Sequence, residues 1–161
     1  MEPLNIALFM FSTIWVGPFW MLMLIEPFSE RTETWLKGNL LFVGPLGVWL
    51  LATVLNPDGL LDLFTGNPTE FFDTMVSLLG TETGTVLAWA HFVAGDIMAT
   101  RWMWRQGIKN QIGINKIRVI VFFGVMLMPV GLLLHVILNR EYSLELHSLG
   151  SFLPIRASLW V

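Results

Sequence analysis

Four apolar stretches constrain this chain more than any other feature of its sequence. Each has about 20 residues, the length that an α-helix needs to cross the hydrocarbon core of a bilayer. The stretches cover residues 5–25, 37–55, 83–105 and 117–138. Hydrophobic residues make up 55% of the chain and charged residues only 13%, whereas soluble domains are about one quarter charged. The sequence therefore predicts an all-α integral membrane bundle of four transmembrane helices, in a single domain that covers residues 1–161.

The segment between the second and third stretches, residues 58–80, has a different pattern. Its apolar side chains recur at helical spacing and its polar side chains occupy the opposite face: Phe71, Phe72, Met75, Leu78 and Leu79 against Glu70, Asp73 and Ser77. This amphipathic pattern predicts a helix that lies at the membrane interface and does not cross it. Residues 139–161 are predicted to form a tail after the last span.

The distribution of basic residues predicts the orientation of the bundle. The first and third loops contain Arg31, Lys37, Arg105, Lys109, Lys116 and Arg118, whereas the opposite side contains only Arg140 and Arg156. Because cytoplasmic loops carry an excess of Lys and Arg, both termini are predicted on the periplasmic or lumenal side.

The net charge of −3 and the lack of a basic run argue against a nucleic-acid partner.

The third stretch contains three ionisable side chains, His91, Asp96 and Arg101. Ionisable groups inside a membrane are costly and indicate a functional site by default. Asp96 could instead have a structural role, as a partner of Arg101 or as an acceptor for tryptophan N–H groups. On a helix, Asp96 lies about 140° around from His91, so the two cannot chelate one metal ion, and no metal site is predicted. Trp89 is nearly in line with Asp96.

His91 and His135 are candidate axial ligands, because a neutral imidazole binds the metal of haem or of a magnesium tetrapyrrole such as (bacterio)chlorophyll. At 1.5 Å per residue, the two histidines differ in predicted depth by roughly 7 Å. This difference argues against one haem that both would ligate. Either histidine alone could hold a tetrapyrrole, and either could simply form hydrogen bonds within the bundle.

Four tryptophans lie within the predicted spans: Trp15, Trp20, Trp49 and Trp89. A flat ring with one N–H donor suits a long conjugated ligand such as a carotenoid, and it suits ordinary helix packing equally well. We take these four residues, with His91 and His135, as the candidate cofactor-binding residues. No sequence motif identifies catalytic residues. The candidate catalytic residues are therefore the ionisable side chains His91 and Asp96.

The third stretch, WAHFVAGDIMATRWMWRQGIKNQI, resembles the signature of the neoxanthin-synthase-type membrane proteins, the abscisic-acid-deficient family of plants and their bacterial relatives. The residues that carry the resemblance are Trp89, His91, Asp96, Arg101, Gly107, Asn110 and Gln111. PFWMLMLIEP, NPDGL and MPVGLLLHVI resemble neighbouring blocks, so the resemblance covers most of residues 17–138. It implies a four-helix membrane protein connected with carotenoids in photosynthetic membranes, and plant members are needed to make neoxanthin.

Two functions agree with these observations. The first is an accessory or carotenoid-handling subunit of a photosynthetic complex, without catalytic turnover, whose partners are membrane lipids and other membrane proteins of that complex. The alternative is a carotenoid-modifying enzyme, an isomerase or an epoxide-opening enzyme, in which Asp96 would donate a proton and His91 would accept one. We expect the first function. A transporter is disfavoured, because alternating access usually relies on larger repeated bundles.

Overall fold

A computed structural model of the chain describes the backbone of residues 2–150 and the side chains of residues 2–139. Within these residues the chain forms helices and no strand. The helices are α1 (Pro3–Ile25), α2 (Glu30–Lys37), α3 (Leu40–Leu55), α4 (Asp58–Thr65), α5 (Phe71–Leu79), α6 (Glu82–Lys109), α7 (Ile114–Met126) and α8 (Met128–Gly150), with a 3₁₀ turn at Pro68–Glu70. The prediction of an all-α fold is confirmed for this part of the chain.

Helices α1 and α6 lie side by side and run in the same direction. At one end, the backbone N–H of Glu2 donates to Glu82 Oε2 at 2.7 Å. At the other end, the indole N–H of Trp104 donates to the carbonyl of Pro27 at 3.0 Å. Because both ends of the pair are joined, α1 and α6 form a parallel frame on which the remaining helices pack.

Helix α3 packs against both members of this frame and runs antiparallel to them. Near its start, the carbonyl of Leu40 accepts the indole N–H of Trp15 at 3.0 Å. Farther along, apolar residues of α1, α3 and α6 form one buried cluster: Leu8, Val48, Ala52, Val86, Leu87 and Ala90. A second cluster, at the end where α1 meets α2, also includes residues of α7: Val16, Phe19, Met23, Leu36, Leu41, Ile97, Trp104, Ile112, Ile117 and Val121.

The outer faces of α1 and α3 are apolar and exposed. On α3, for example, Leu50 is 58% exposed and Val54 is 74% exposed. Continuous apolar surface of this kind is typical of contact with lipid or with another protein. Two helical stretches, Pro3–Ile25 and Glu30–Leu55, are long and apolar enough to cross a membrane. Helix α6 has 28 residues but is less apolar, so its crossing remains a prediction and the four-span bundle is not confirmed.

The fourth predicted span is not one continuous helix, and this prediction is corrected. Helix α7 ends before Leu127, where φ is −151° and ψ is 75°, and α8 begins directly afterwards. The two helices fold back on each other, since a Cβ added to Gly131 would lie 2.6 Å from the Cα of Gly124. Asn110 at the end of α6 donates its side-chain N–H to Asn139 Oδ1 at 3.0 Å. The chain therefore returns to the end of the bundle at which α7 began.

Local sequence explains this helical hairpin. Pro129 lies in the first turn of α8, where a backbone N–H needs no partner within the helix. Gly124 and Gly131 let the two backbones approach closely. Helix α7 has 13 residues and is therefore roughly 20 Å long, which is shorter than the hydrocarbon core of about 30 Å. The prediction that both termini lie on one side of the membrane depended on a complete fourth span, which the structure does not contain. Residues 151–161 of the predicted tail lie outside the described residues.

The predicted interfacial helix is also divided. Residues 58–80 contain α4 and α5, joined by the 3₁₀ turn, instead of one helix. Gly66 ends α4, and Pro68 follows shortly afterwards. The side chain of Asn67 accepts the backbone N–H of Thr69 at 3.2 Å and so stabilises the turn. Neither α4 nor α5 has a buried residue.

A candidate ligand cavity at the tip of the helical hairpin

The hairpin of α7 and α8 ends partway along the α1–α6 frame, and a cavity of about 270 Å³ lies at its tip. Three helices line this cavity: Thr13, Val16, Gly17 and Trp20 of α1, Trp89, Phe92, Val93, Asp96 and Ile97 of α6, and Val125 and Met126 of α7. Most of these side chains are apolar, and we refer to the space as the frame cavity. Helix α7 reaches the cavity only with its last two residues, Val125 and Met126.

One wall of the frame cavity is held by polar and aromatic contacts between α1 and α6. The indole N–H of Trp89 donates to Thr13 Oγ1 at 2.8 Å. The Thr13 hydroxyl in turn donates to the carbonyl of Phe9 at 3.0 Å. The ring of Phe9 stacks on the Trp89 indole, with 4.9 Å between ring centroids and 28° between ring planes. These contacts fix the position of an indole that is 37% exposed.

Gly17 keeps the opposite part of the frame cavity open. Gly17 lines the cavity, and a Cβ added at this position would have no heavy atom within 4 Å. Thr13, Gly17 and Trp20 lie four and three residues apart, which places them on one face of α1. This spacing is the sequence signal that could have identified the α1 side of the site. Val125 and Met126 had no such signal.

Two polar groups of the frame cavity lack hydrogen-bond partners. Asp96 is partly buried and makes no hydrogen bond or ion pair with any residue that the structure describes. The indole N–H of Trp20 is buried and also has no partner among these residues. A buried polar group without a partner is costly and calls for an explanation such as a ligand. The Asp96 carboxyl is thus an acceptor without a partner in a mostly apolar cavity, and Trp20, whose N–H is buried, lines the same cavity.

Arg101 does not neutralise Asp96. Its Nη2 donates to the carbonyl of Lys37 at 3.1 Å, and its guanidinium lies 5.8 Å from the centroid of the Phe42 ring. Arg101 thereby joins α6 to the end of α2. The pairing of Asp96 with Arg101, which the sequence left open, is not formed.

The structure does not bring His91 together with Asp96. His91 is exposed and does not line the frame cavity. It shares its stripe of α6 with Met98 and Trp102, which are 60% and 49% exposed. A proton donor and acceptor pair made of these two residues would therefore need a substrate that reaches around the helix.

His135 lies away from the frame cavity, in the contact between α8 and α6. It is 4% exposed, and its ring packs against that of Trp102 at 4.9 Å between centroids. Asn139 Nδ2 lies 3.2 Å from its Nδ1 and 2.8 Å from its Nε2. Since Asn139 also accepts a hydrogen bond from Asn110, His135 belongs to a polar cluster that joins the return helix to α6.

The two remaining candidate tryptophans pack between helices. Trp15 lies against Gly44, where a Cβ would overlap its ring, and its N–H bonds to Leu40. Trp49 packs at the edge of the buried cluster of α1, α3 and α6. Neither residue lines the frame cavity. Among the residues that the structure describes, no three His, Cys, Asp or Glu side chains are grouped so that they could hold a metal ion.

Comparison with known proteins places the frame cavity inside a region that other proteins share. The sequence model of the ABA DEFICIENT 4-like family matches residues 7–135, a range that includes every residue lining the cavity. Protein ABA DEFICIENT 4, chloroplastic, of Arabidopsis thaliana is 27% identical over 143 residues, which are 84% of this chain and 64% of the Arabidopsis protein. The chain thus spans less than two thirds of that relative. No solved structure matches the chain.

Proposed function

Because the chain belongs to the ABA DEFICIENT 4-like family, we propose that it is a carotenoid-handling membrane protein that holds an oxygenated end ring of the pigment in the frame cavity. The observation that carries this proposal is the Asp96 carboxyl, which lines a mostly apolar cavity and has no partner among the described residues. The Asp96 carboxyl forms no bond between helices among the described residues. A single polar group in apolar surroundings suits a ligand that is mostly hydrocarbon and carries an oxygen atom.

The size of the frame cavity supports a ring as its occupant. At about 270 Å³ it lies just below the range of roughly 300–1,000 Å³ that is typical of small-molecule pockets. A complete carotenoid would not fit, whereas one cyclic end group would. Phe92 and Met126, both at the cavity, are 61% and 53% exposed. The polyene chain would leave past these apolar residues and lie in the surrounding lipid.

The Asp96 carboxyl would select among carotenoids. A hydroxyl group on the ring could donate to the Asp96 carboxylate. A hydrocarbon carotene would leave Asp96 without a partner, and sites built to bond a polar group reject analogues that lack it. We therefore expect oxygenated carotenoids to bind in preference to carotenes.

Pigment analysis of the purified protein tests this selectivity. The protein is produced in a host that makes both oxygenated carotenoids and carotenes, purified in mild detergent, and its bound pigments are separated by chromatography. The proposal expects oxygenated carotenoids to be enriched over the host membrane, and expects Asp96→Leu to remove the enrichment. Equal pigment composition in protein and membrane would overturn the proposal.

A carotenoid-modifying reaction is the second candidate function, and the placement of an ionisable group against the proposed ring favours it. A protonated Asp96 would donate its proton to an epoxide oxygen as the C–O bond breaks. The resulting carboxylate would then remove a proton from a neighbouring carbon, so that the substrate is isomerised and the acid regenerated. Loss of conversion in Asp96→Asn, with an epoxidised carotenoid still bound, would support this function. Full conversion by that variant would exclude this role for Asp96.

The proposal includes an arrangement in the membrane. Helices α1, α3 and α6 would cross the bilayer, and the hairpin of α7 and α8 would enter from the side that carries the basic loops and end at mid-depth. The length of α7 and the bond between Asn110 and Asn139 support this arrangement. The frame cavity would then open toward lipid, through which a carotenoid arrives. Association with a photosynthetic complex stays a prediction.

A further inference from the structure

A second cavity, of about 390 Å³, lies at the end of α6 beside the segment that joins α1 to α2. It shares no lining residue with the frame cavity. Three basic side chains line it, Lys37, Arg105 and Lys109, together with one acidic side chain, Glu33. Basic residues thus outnumber acidic ones by two, and we refer to this space as the basic cavity.

Hydrogen bonds hold the walls of the basic cavity in place and leave its basic groups largely free for a ligand. Trp104, which is 5% exposed, donates its N–H to Pro27 at 3.0 Å. Arg105 Nη2 donates to the carbonyl of Leu36 at 3.1 Å, which uses one of the five N–H donors of a guanidinium. Lys37 ends α2 and Lys109 ends α6, so their charges come to the same cavity from two helices.

The remaining wall of the basic cavity is apolar. Phe28 lines it and is 54% exposed, and Ile108 lines it beside the basic groups. A free inorganic anion would gain no binding energy from an apolar wall. A phospholipid would, because it has an anionic phosphate and apolar acyl chains. Basic pockets on the positively charged side of a membrane protein are typical sites for lipid headgroups.

We propose that the basic cavity binds the phosphate of an anionic phospholipid, with Lys37, Arg105 and Lys109 contacting the headgroup and Phe28 contacting the start of an acyl chain. The proposal rests on the membrane arrangement given under the proposed function, since it requires the basic loops to lie at a lipid surface. It does not require that the frame cavity binds a carotenoid.

Lipid titration of the purified protein tests the site. The probes are phosphatidylglycerol, phosphatidylcholine and inorganic phosphate, each added to the delipidated protein in detergent. The readout is the probe concentration at which the increase in the thermal midpoint of unfolding reaches half of its maximal value. We expect phosphatidylglycerol to act at a concentration at least tenfold lower than phosphatidylcholine. Equal effects of these two lipids would overturn the proposal, as would an equal effect of inorganic phosphate, which would show that the apolar wall contributes nothing.

Matched variants assign the effect to the basic cavity. The double variant Lys37→Gln/Lys109→Gln removes two charges from it, and Arg31→Gln/Lys116→Gln removes two charges from positions that do not line it. We expect the first variant to lose about tenfold or more of its affinity for phosphatidylglycerol and the second to keep most of it. Equal losses would overturn the assignment. Bound carotenoid is measured in the same samples, so that failure of the lipid site and failure of the frame cavity give different results.

Discussion

The indole N–H of Trp89 donates to Thr13 Oγ1 at 2.8 Å and joins α1 to α6, two of the three helices that line the frame cavity. Phe9 of α1 stacks on the same indole. An exposed tryptophan that is held from two directions provides a wall that is in place before a ligand arrives. Preorganisation of this kind lowers the entropic cost of binding. Ligand binding in the frame cavity should therefore depend on this contact between α1 and α6.

The substitution Thr13→Val tests this dependence. It keeps the shape of the side chain but leaves the Trp89 N–H without its partner, so we expect a loss of roughly 0.6–1.7 kcal/mol in the free energy of unfolding, as for other bonds between membrane helices. We also expect several-fold weaker retention of carotenoid. The control is Thr53→Val, because Thr53 bonds only to Trp49 of its own helix. Equal pigment retention in the two variants would contradict the role of the Trp89 contact.

Substitution of Asp96 should change which carotenoid is bound. Asp96→Leu removes the acceptor from the cavity, and we expect the preference for oxygenated carotenoids over carotenes to fall about tenfold, since one lost hydrogen bond in an apolar site costs roughly 1–3 kcal/mol. The ratio of bound pigments measures this preference. Asp62→Leu is the control, because Asp62 is exposed on α4 and does not line the frame cavity. An unchanged ratio in Asp96→Leu would remove Asp96 from the site.

The closest approach in the hairpin should not tolerate an added methyl group. In Gly131→Ala the new Cβ would lie 2.6 Å from the Cα and from the N of Gly124 on α7, so we expect a loss of about 1–3 kcal/mol through overpacking. Gly47→Ala is the control, because its Cβ would meet nothing within 4 Å and alanine favours a helix by about 1 kcal/mol. Unfolding in detergent measures both variants. Equal stability would mean that α7 and α8 do not pack as described.

Labelling with a membrane-impermeant maleimide tests the hairpin in the membrane. The chain has no cysteine, so single cysteines at Asn115, Glu141 and Asp62 report without background. A hairpin that returns to its side of entry places Asn115→Cys and Glu141→Cys on one side and Asp62→Cys on the other. A complete fourth span would instead place Glu141→Cys on the side of Asp62→Cys. The test separates the two arrangements by a yes-or-no difference in labelling.

The positions of α1, α3 and α6 in the chain could be predicted from the sequence, because long apolar runs allow few structures other than a long helix. The predicted spans 5–25 and 37–55 coincide closely with α1 and α3, and 83–105 lies within α6. The alignment of Trp89 with Asp96 along α6 also follows from helical spacing alone, and both residues line the frame cavity. Helical periodicity predicts which residues share a face of one helix. It does not predict which neighbouring helix packs against that face.

The hairpin could not be predicted, because residues 117–138 are equally apolar whether they cross a bilayer once or enter and return. Pro129 agrees with a kink inside one helix and with the start of a second helix. Gly124 and Gly131 are seven residues apart, which would also place them on one face of a continuous helix. Met126 reaches the cavity only because the chain turns there. The third wall of the site therefore depends on tertiary structure.

Gly17→Leu tests the central claim most directly, because it fills the frame cavity from a position where a Cβ meets no other atom. Gly47→Leu, on exposed α3 surface, is the matched control. Both variants are purified in mild detergent from a carotenoid-producing host, and the ratio of carotenoid absorbance to protein absorbance is measured. We expect Gly17→Leu to remain folded and to lose its pigment, while Gly47→Leu keeps it. Equal pigment in the two variants would show that the carotenoid is not held in this cavity.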